Sequence, residues 1–149
     1  MLKKILIGIA GIIIVIQFIP VDRSNPPAEG ELMESTELKT ILKRSCYDCH
    51  SNETSWPWYS SVAPVSWLVA DDVSEGRRHL NFSEWGDLTR QKVARKKEHI
   101  WEEVKEGGMP LSKYLWMHSD AKLSQKDKDI IRDWTGGSDE GNSNKDDDD

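Results

Sequence analysis

The sequence predicts an all-α fold, and three observations support this prediction. Apolar residues recur at helical spacing in four segments, helix-capping and helix-ending residues stand at the boundaries of these segments, and no segment alternates apolar and polar residues as a strand does. The chain has 149 residues, which suits one domain with tails. We therefore expect a small helical domain that follows one apolar N-terminal helix.

Each of the four predicted domain helices has a boundary signal. The first has a serine or threonine N-cap, the second begins at a proline, the third ends at a glycine pair, and the fourth opens with a capping box. In chain order these signals are Ser35 or Thr36, Pro64, Gly107 with Gly108, and Ser124 with Asp127.

The N-terminus has the pattern of a targeting segment. Lys3 and Lys4 precede an apolar run from Ile5 to Ile19, which ends at Pro20. A positive start and an apolar core are typical of a secretory signal, but the small-residue cleavage pattern is missing. We therefore predict an uncleaved signal anchor over residues 1–21 that crosses the cytoplasmic membrane and leaves the rest of the chain in the periplasm.

Composition divides the remainder of the chain into three parts. A proline-containing linker over 22–31 precedes the helical domain over 32–135, and a glycine-rich acidic tail over 136–149 is predicted to be disordered. Most of the net charge of −6 lies in this tail, so the domain is close to neutral. The sequence has no basic stripe, which excludes a nucleic-acid partner.

Chemistry is concentrated in residues 46–50, which read Cys-Tyr-Asp-Cys-His. This spacing is the attachment motif of c-type haem, because two thiols can bond the two vinyl groups and the following imidazole can bind the iron. We expect Cys46, Cys49 and His50 to continue the helical face of the preceding apolar residues Leu38, Ile41 and Leu42. A zinc site or a thioredoxin-like pair fits less well, since neither four closed ligands nor a βαβ setting is visible.

Two longer segments carry a family resemblance. They are CYDCHSNETSWPWYSSVAPVSWLVADDVSEGRRHLNFSEW and GGMPLSKYLWMHSDAKLSQKDKDIIRDW. With them the chain resembles the small bacterial haem-binding domain family of monohaem c-type cytochromes. The resemblance implies a cytochrome c-like helical domain around one covalent haem c, and a role in electron transfer rather than catalysis.

The sixth iron ligand is predicted to be Met109. It stands between Gly108 and Pro110, similar to the distal loop of ordinary cytochromes c, and a thioether suits ferrous iron. His118 and His79 are the alternatives, because bis-histidine ligation is also common. Weaker candidates are Met117 and His99.

Four further side chains are possible haem contacts. Trp56 and Trp58 follow the motif and either line the porphyrin or belong to the core. Arg77 and Arg78 either bind the propionates or are solvated, since guanidinium groups pair well with carboxylates.

The sequence leaves two haem-dependent functions open. The first is an electron carrier that meets a redox partner protein at the membrane, with the haem supplying the chemistry. The alternative is a haem enzyme or gas sensor whose distal iron position is open, as in peroxidases. A third hypothesis, an interaction module without haem, is the least favoured.

Overall fold

The computed structural model describes residues 1–138, and every regular element in that range is helical, which confirms the all-α prediction for the described chain. The acidic residues of the predicted tail, from Asp139 onward, lie outside the described residues. The α-helices are α1 (Leu2–Ile16), α2 (Thr36–Ser45), α3 (Tyr47–His50), α4 (Val65–His79), α5 (Arg90–Glu106), α6 (Ser112–Leu115) and α7 (Gln125–Thr135). Short 3₁₀ helices cover Trp58–Ser61, Phe82–Asp87 and Ser119–Ala121.

The chain forms two compact units. Among the described residues, the first contains Met1–Leu32 and Cys46–Gly86, and the second contains Met33–Ser45 and residues 87–138. The domain predicted over 32–135 therefore takes in parts of both units. The haem motif belongs to the first unit.

Helix α1 ends at Ile16 and is therefore shorter than the sequence predicts. None of its side chains is buried. At about 1.5 Å of rise per residue, its 15 residues make a helix of roughly 22 Å, against a hydrocarbon core of about 30 Å. No helix in residues 1–138 combines the length and the apolar character that crossing a bilayer requires. The predicted membrane-spanning helix over 1–21 is therefore not supported.

Beyond α1, hydrogen bonds join the N-terminal segment to the rest of the first unit. The Gln17 side-chain amide donates to the Ala63 carbonyl at 3.1 Å and accepts from the Ala63 N–H at 2.9 Å. In the predicted linker, the Asn52 amide donates to the Pro27 carbonyl at 2.8 Å, and the Gly30 N–H donates to the Ser83 carbonyl at 2.9 Å. These bonds position the linker segment beside the loop that follows the haem motif.

In the second unit, the apolar residues that were predicted at helical spacing pack together into a core. Helix α7 packs against both α2 and α5, and Leu42 and Ile131 are completely buried. The capping box of Ser124 and Asp127 is present at the start of α7, as predicted. Gly107 ends α5 in the left-handed conformation, with φ 78°, which a residue without a side chain adopts at little cost.

Candidate functional site

The haem motif lies at a break in the helix, and this corrects one sequence-based expectation. Helix α2 ends at Ser45, Cys46 has φ −130° and ψ −36°, and α3 begins only at Tyr47. The motif does not continue the helical face of the apolar residues of α2. Spacing alone could not show this interruption, because Cys46 keeps the helical register in sequence while its backbone leaves the helical region.

Backbone hydrogen bonds nevertheless place the three motif residues within one turn of chain. The Cys46 carbonyl accepts from the His50 N–H at 2.9 Å and from the Cys49 N–H at 3.2 Å. Both cysteines are partly exposed, and their sulfurs are not joined in a disulfide. Two thiols and one imidazole therefore stand within a single turn at the surface of the first unit.

The two residues between the cysteines anchor this turn. Tyr47 is buried and stacks on Phe82, with ring centroids 5.2 Å apart, and burial raises its pKa to about 12. The Asp48 carboxylate accepts from the Ser55 N–H at 3.0 Å, and its carbonyl accepts from the Thr54 hydroxyl at 2.8 Å. The intervening residues thus hold the motif against the core on one side and against the following loop on the other.

The end of α4 orients the imidazole of His50. Its Nδ1 atom is 3.0 Å from the Gly76 carbonyl oxygen and 3.2 Å from the Leu80 carbonyl oxygen. Because a carbonyl can only accept, Nδ1 carries the hydrogen, and Nε2 is the nitrogen with the lone pair that a metal binds. The negative end of the α4 dipole strengthens this arrangement. The sequence predicted His50 as an iron ligand, but it did not indicate the two carbonyl groups that accept from its ring.

Arg77 binds protein groups in the same region. Its guanidinium donates to the Ser51 and Ser24 carbonyls at 2.8 and 2.9 Å, and to the side chains of Asn25 and Thr54, both at 2.8 Å. These bonds use four of its five N–H donors. The structure thus gives Arg77 a role in joining the N-terminal segment to the motif loop, while a propionate contact stays a prediction.

The two residues after Arg77 face solvent. Arg78 and His79 both lie beside the Glu75 carboxylate, at 2.9 and 3.3 Å, and their side chains are about two-thirds exposed. Their predicted roles, a propionate contact and an alternative distal ligand, stay predictions. Glu75, Arg78 and His79 form a solvent-exposed polar cluster on the last turns of α4.

The tryptophans of the first unit differ in exposure. Trp58 is largely exposed and packs edge-on against Tyr59. The indole N–H groups of Trp56 and Trp67 are buried and have no hydrogen-bond partner among residues 1–138. Trp67 was not among the sequence-based candidates, since nothing in its spacing distinguishes it from a core residue.

The remaining ligand candidates belong to the second unit. Met109 is partly buried in the loop after α5, and its N–H donates to the Glu103 carbonyl at 3.1 Å. The His118 ring stacks on Tyr114 with centroids 4.1 Å apart. Met117 is exposed, and His99 lies 3.2 Å from the Glu102 carboxylate. The choice among these side chains as sixth ligand stays a prediction.

The residues of the first unit fit a covalently held haem. The paired thiols and the oriented imidazole are the groups that c-type attachment requires. Buried donors normally have an acceptor, and the indole groups of Trp56 and Trp67 lack one within the described chain. A bound group that carries carboxylates, as haem does in its propionates, has the acceptors that these two indoles require.

Comparison with known proteins gives one family. The model of the haem-binding domain family matches residues 11–136, which is most of the chain and includes the motif, α4 and the Met109 loop. No curated protein and no solved structure matches the sequence. The match confirms the family resemblance predicted from the two long segments, and the chain therefore belongs to the haem-binding domain family.

Proposed function

We propose that this protein is a monohaem c-type cytochrome that carries single electrons outside the cytoplasmic membrane. One observation carries the proposal: both thiols lie within one helical turn of an imidazole whose Nδ1 is held by two helix-terminal carbonyls. Family membership supports haem as the cofactor. The covalent attachment, the electron-transfer role and the location are our inference.

Cys46 and Cys49 would form the two thioether bonds. Each S–H adds across one vinyl double bond, so that sulfur bonds one vinyl carbon and the other carbon gains the hydrogen. This addition needs no oxidant. Partial exposure of both cysteines supports the proposal, because the reaction requires access to the sulfurs.

His50 would supply the proximal nitrogen. The bonds from Nδ1 to the carbonyls of Gly76 and Leu80 fix the tautomer and the ring orientation, and they raise the basicity of Nε2. A bound haem supplies one-electron chemistry at its iron. The protein then sets the reduction potential through axial ligands, burial and hydrogen bonds.

Met109 is our proposed sixth ligand. It follows Gly107 and Gly108, which let the backbone approach a large group closely, and Pro110 restricts the turn. A thioether would raise the potential relative to a second histidine. His118 and His79 remain the alternative ligands.

We also propose that the haem unit works in the periplasm and meets a redox partner protein there. Lys3 and Lys4 lie in the first turn of helix α1, and the apolar residues that follow them, from Ile5 to Ile16, suit the core of an export signal. Covalent haem attachment takes place outside the bacterial cytoplasm, which is consistent with export. Contacts with redox partners are usually small and transient.

The test uses the full chain expressed in a host that carries out cytochrome maturation. We expect the intact mass to include one haem that survives denaturation, and we expect the Cys46→Ala/Cys49→Ala variant to lose it. A wild-type protein that emerges without covalent haem would overturn the proposal.

The absorption spectrum then separates the carrier from the enzyme or sensor. A six-coordinate low-spin spectrum with a methionine-to-iron charge-transfer band supports the carrier, and Met109→Ala should abolish that band. Met117→Ala is the matched control, because Met117 is exposed and should leave the spectrum unchanged. A high-spin spectrum with rapid carbon monoxide binding would favour the open-iron alternative.

A further inference from the structure

Gly76 stands in the last turn of α4, which ends at His79, and glycine is unfavourable at a helical position. In a helix interior, glycine is less stable than alanine by about 1 kcal/mol. Here a side chain has no room, because a Cβ atom built on Gly76 would lie 2.5 Å from the Cys49 carbonyl oxygen and 3.0 Å from its carbonyl carbon. These are backbone atoms, so no side-chain rotation relieves the overlap.

Other glycines of the first unit lack this constraint. A Cβ on Gly8 or on Gly11 would meet no atom within 4 Å, and one on Gly86 would lie 3.4 Å from its nearest neighbour, at the edge of ordinary van der Waals contact. The close approach at Gly76 is therefore specific to the place where α4 crosses α3. It lets the backbone of α4 rest directly on the second cysteine of the motif.

The same glycine also contacts the next motif residue. Its carbonyl oxygen accepts from His50 Nδ1 at 3.0 Å and from the Leu80 N–H at 2.8 Å. The side of Gly76 that would carry a side chain therefore faces Cys49, while its carbonyl group faces His50. Any displacement of α4 that makes room beside Cys49 must change the distance between His50 and its acceptor.

We propose that Gly76 is a positioning residue for the proximal histidine. By admitting α4 against Cys49, it sets the length of the Nδ1–H···O=C bond, and through that bond it sets the orientation and basicity of the imidazole. The haem part of this inference rests on the proposed function. A longer bond makes Nε2 a weaker electron donor, which raises the reduction potential of the haem.

The experiment compares Gly76→Ala with the matched control Gly8→Ala, both in the full chain. In haem-free protein, ¹⁵N NMR of His50 reports the Nδ1–H bond directly. We expect the Nδ1–H signal to move in Gly76→Ala and to stay in place in Gly8→Ala. An unchanged signal in a folded Gly76→Ala protein overturns the proposal.

The haem-loaded proteins give a second readout. We expect Gly76→Ala to raise the midpoint potential of the haem by more than the difference between wild type and Gly8→Ala. Identical values in all three proteins overturn the proposal. If the wild type takes up no covalent haem, the proposed function fails, and the haem-free NMR comparison still decides the role of Gly76.

A measurement on the wild type covers the case in which Gly76→Ala does not fold. With ¹⁵N-labelled histidine and ¹³C-labelled glycine carbonyls, a scalar coupling across the hydrogen bond links His50 Nδ1 to the Gly76 carbonyl carbon. Detection of this coupling supports the proposal. Its absence in folded protein shows that Gly76 is not the acceptor and overturns it.

Discussion

The two units of the chain are stabilised in different ways. Of the described residues, six buried polar side chains lie in the first unit and one, Ser45, lies in the second. The six are Ser51, Asn52, Thr54, Ser60, Ser66 and Ser83. The second unit has the more regular apolar core, with Leu42 and Ile131 at 0 % exposure.

This difference follows from the secondary structure of each unit. In the second unit, long helices bury apolar stripes, and the backbone bonds itself within each helix. In the first unit, the motif is followed by irregular chain, whose buried backbone groups need side-chain partners. The Ser51 hydroxyl accepts from the Glu53 N–H at 2.9 Å, and the Ser83 hydroxyl accepts from the Asn52 N–H at 2.9 Å. The haem motif is therefore held by a hydrogen-bond network rather than by a periodic core.

The largest effect should come from truncating the apolar core. We expect Ile131→Ala to lower the free energy of unfolding by about 2–5 kcal/mol, since it leaves a cavity at a fully buried site. Urea denaturation followed by far-UV circular dichroism measures the loss. Ile130→Ala, one residue earlier and only partly buried, is the matched control and should cost less. Equal losses would contradict the description of this core.

The helices of the second unit were predictable because their signals are local. The apolar spacing, the capping box of Ser124 and Asp127 and the glycine stop after α5 all depend on neighbours a few residues apart, and the structure confirms them. The end of α1 at Ile16 was not predictable in this way. An apolar run shows how far a helix can extend, but it does not show distant contacts such as the hydrogen bonds between Gln17, just after the helix, and Ala63.

The polar network should respond strongly to the loss of Arg77. We expect Arg77→Lys to lower the free energy of unfolding by about 1–3 kcal/mol, because a single ammonium group cannot reach acceptors spread over residues 24–54. Thermal unfolding of the full chain measures this effect. Arg78→Lys is the control, and its exposed pair with Glu75 should contribute almost nothing. Similar shifts for both variants would show that the network does not stabilise the first unit.

The chemical groups of the candidate site were predictable from the sequence, but the hydrogen bonds that hold them in place were not. Cys46, Cys49 and His50 are identified by a motif of five residues, because attachment chemistry demands that spacing. The acceptors of His50 lie 26 and 30 residues away in sequence and are backbone carbonyls, which any residue type supplies. The one available signal was Gly76, since a glycine within a helical pattern often marks a close approach.

A smaller effect is expected at the cap of α7. Ser124→Ala removes the hydroxyl that accepts from the Asp127 N–H at 3.2 Å, and we expect a loss of about 1 kcal/mol in the free energy of unfolding. Thr89→Ala at the start of α5 is the matched control, because its hydroxyl accepts from the Lys92 N–H at a longer 3.4 Å. Urea denaturation of both variants should rank Ser124→Ala as the more damaging. The reverse order would mean that the capping box adds nothing beyond an ordinary N-cap.

The smallest effect on the free energy of unfolding is expected at Asp127, the acidic residue of the same capping box. Burial raises the pKa of Asp127, but hydrogen bonds from the backbone and hydroxyl of Ser124 and from Arg44, 2.8 Å away, outweigh burial and lower the pKa below its usual 3.8. A carboxyl whose pKa is lowered by folding stabilises the protein above its unfolded pKa, and this stability is lost as the pH falls through the folded value.

We therefore expect Asp127→Asn to cost less than about 1 kcal/mol at about pH 7 and progressively less below about pH 4. Urea denaturation at a series of pH values measures the difference between variant and wild type. In an Arg44→Gln background the pH dependence should shrink, because one of the groups that lower the pKa is gone. A difference that grows as the pH falls would mean that folding raises the pKa of Asp127, and that burial rather than the capping box dominates at this end of the second unit.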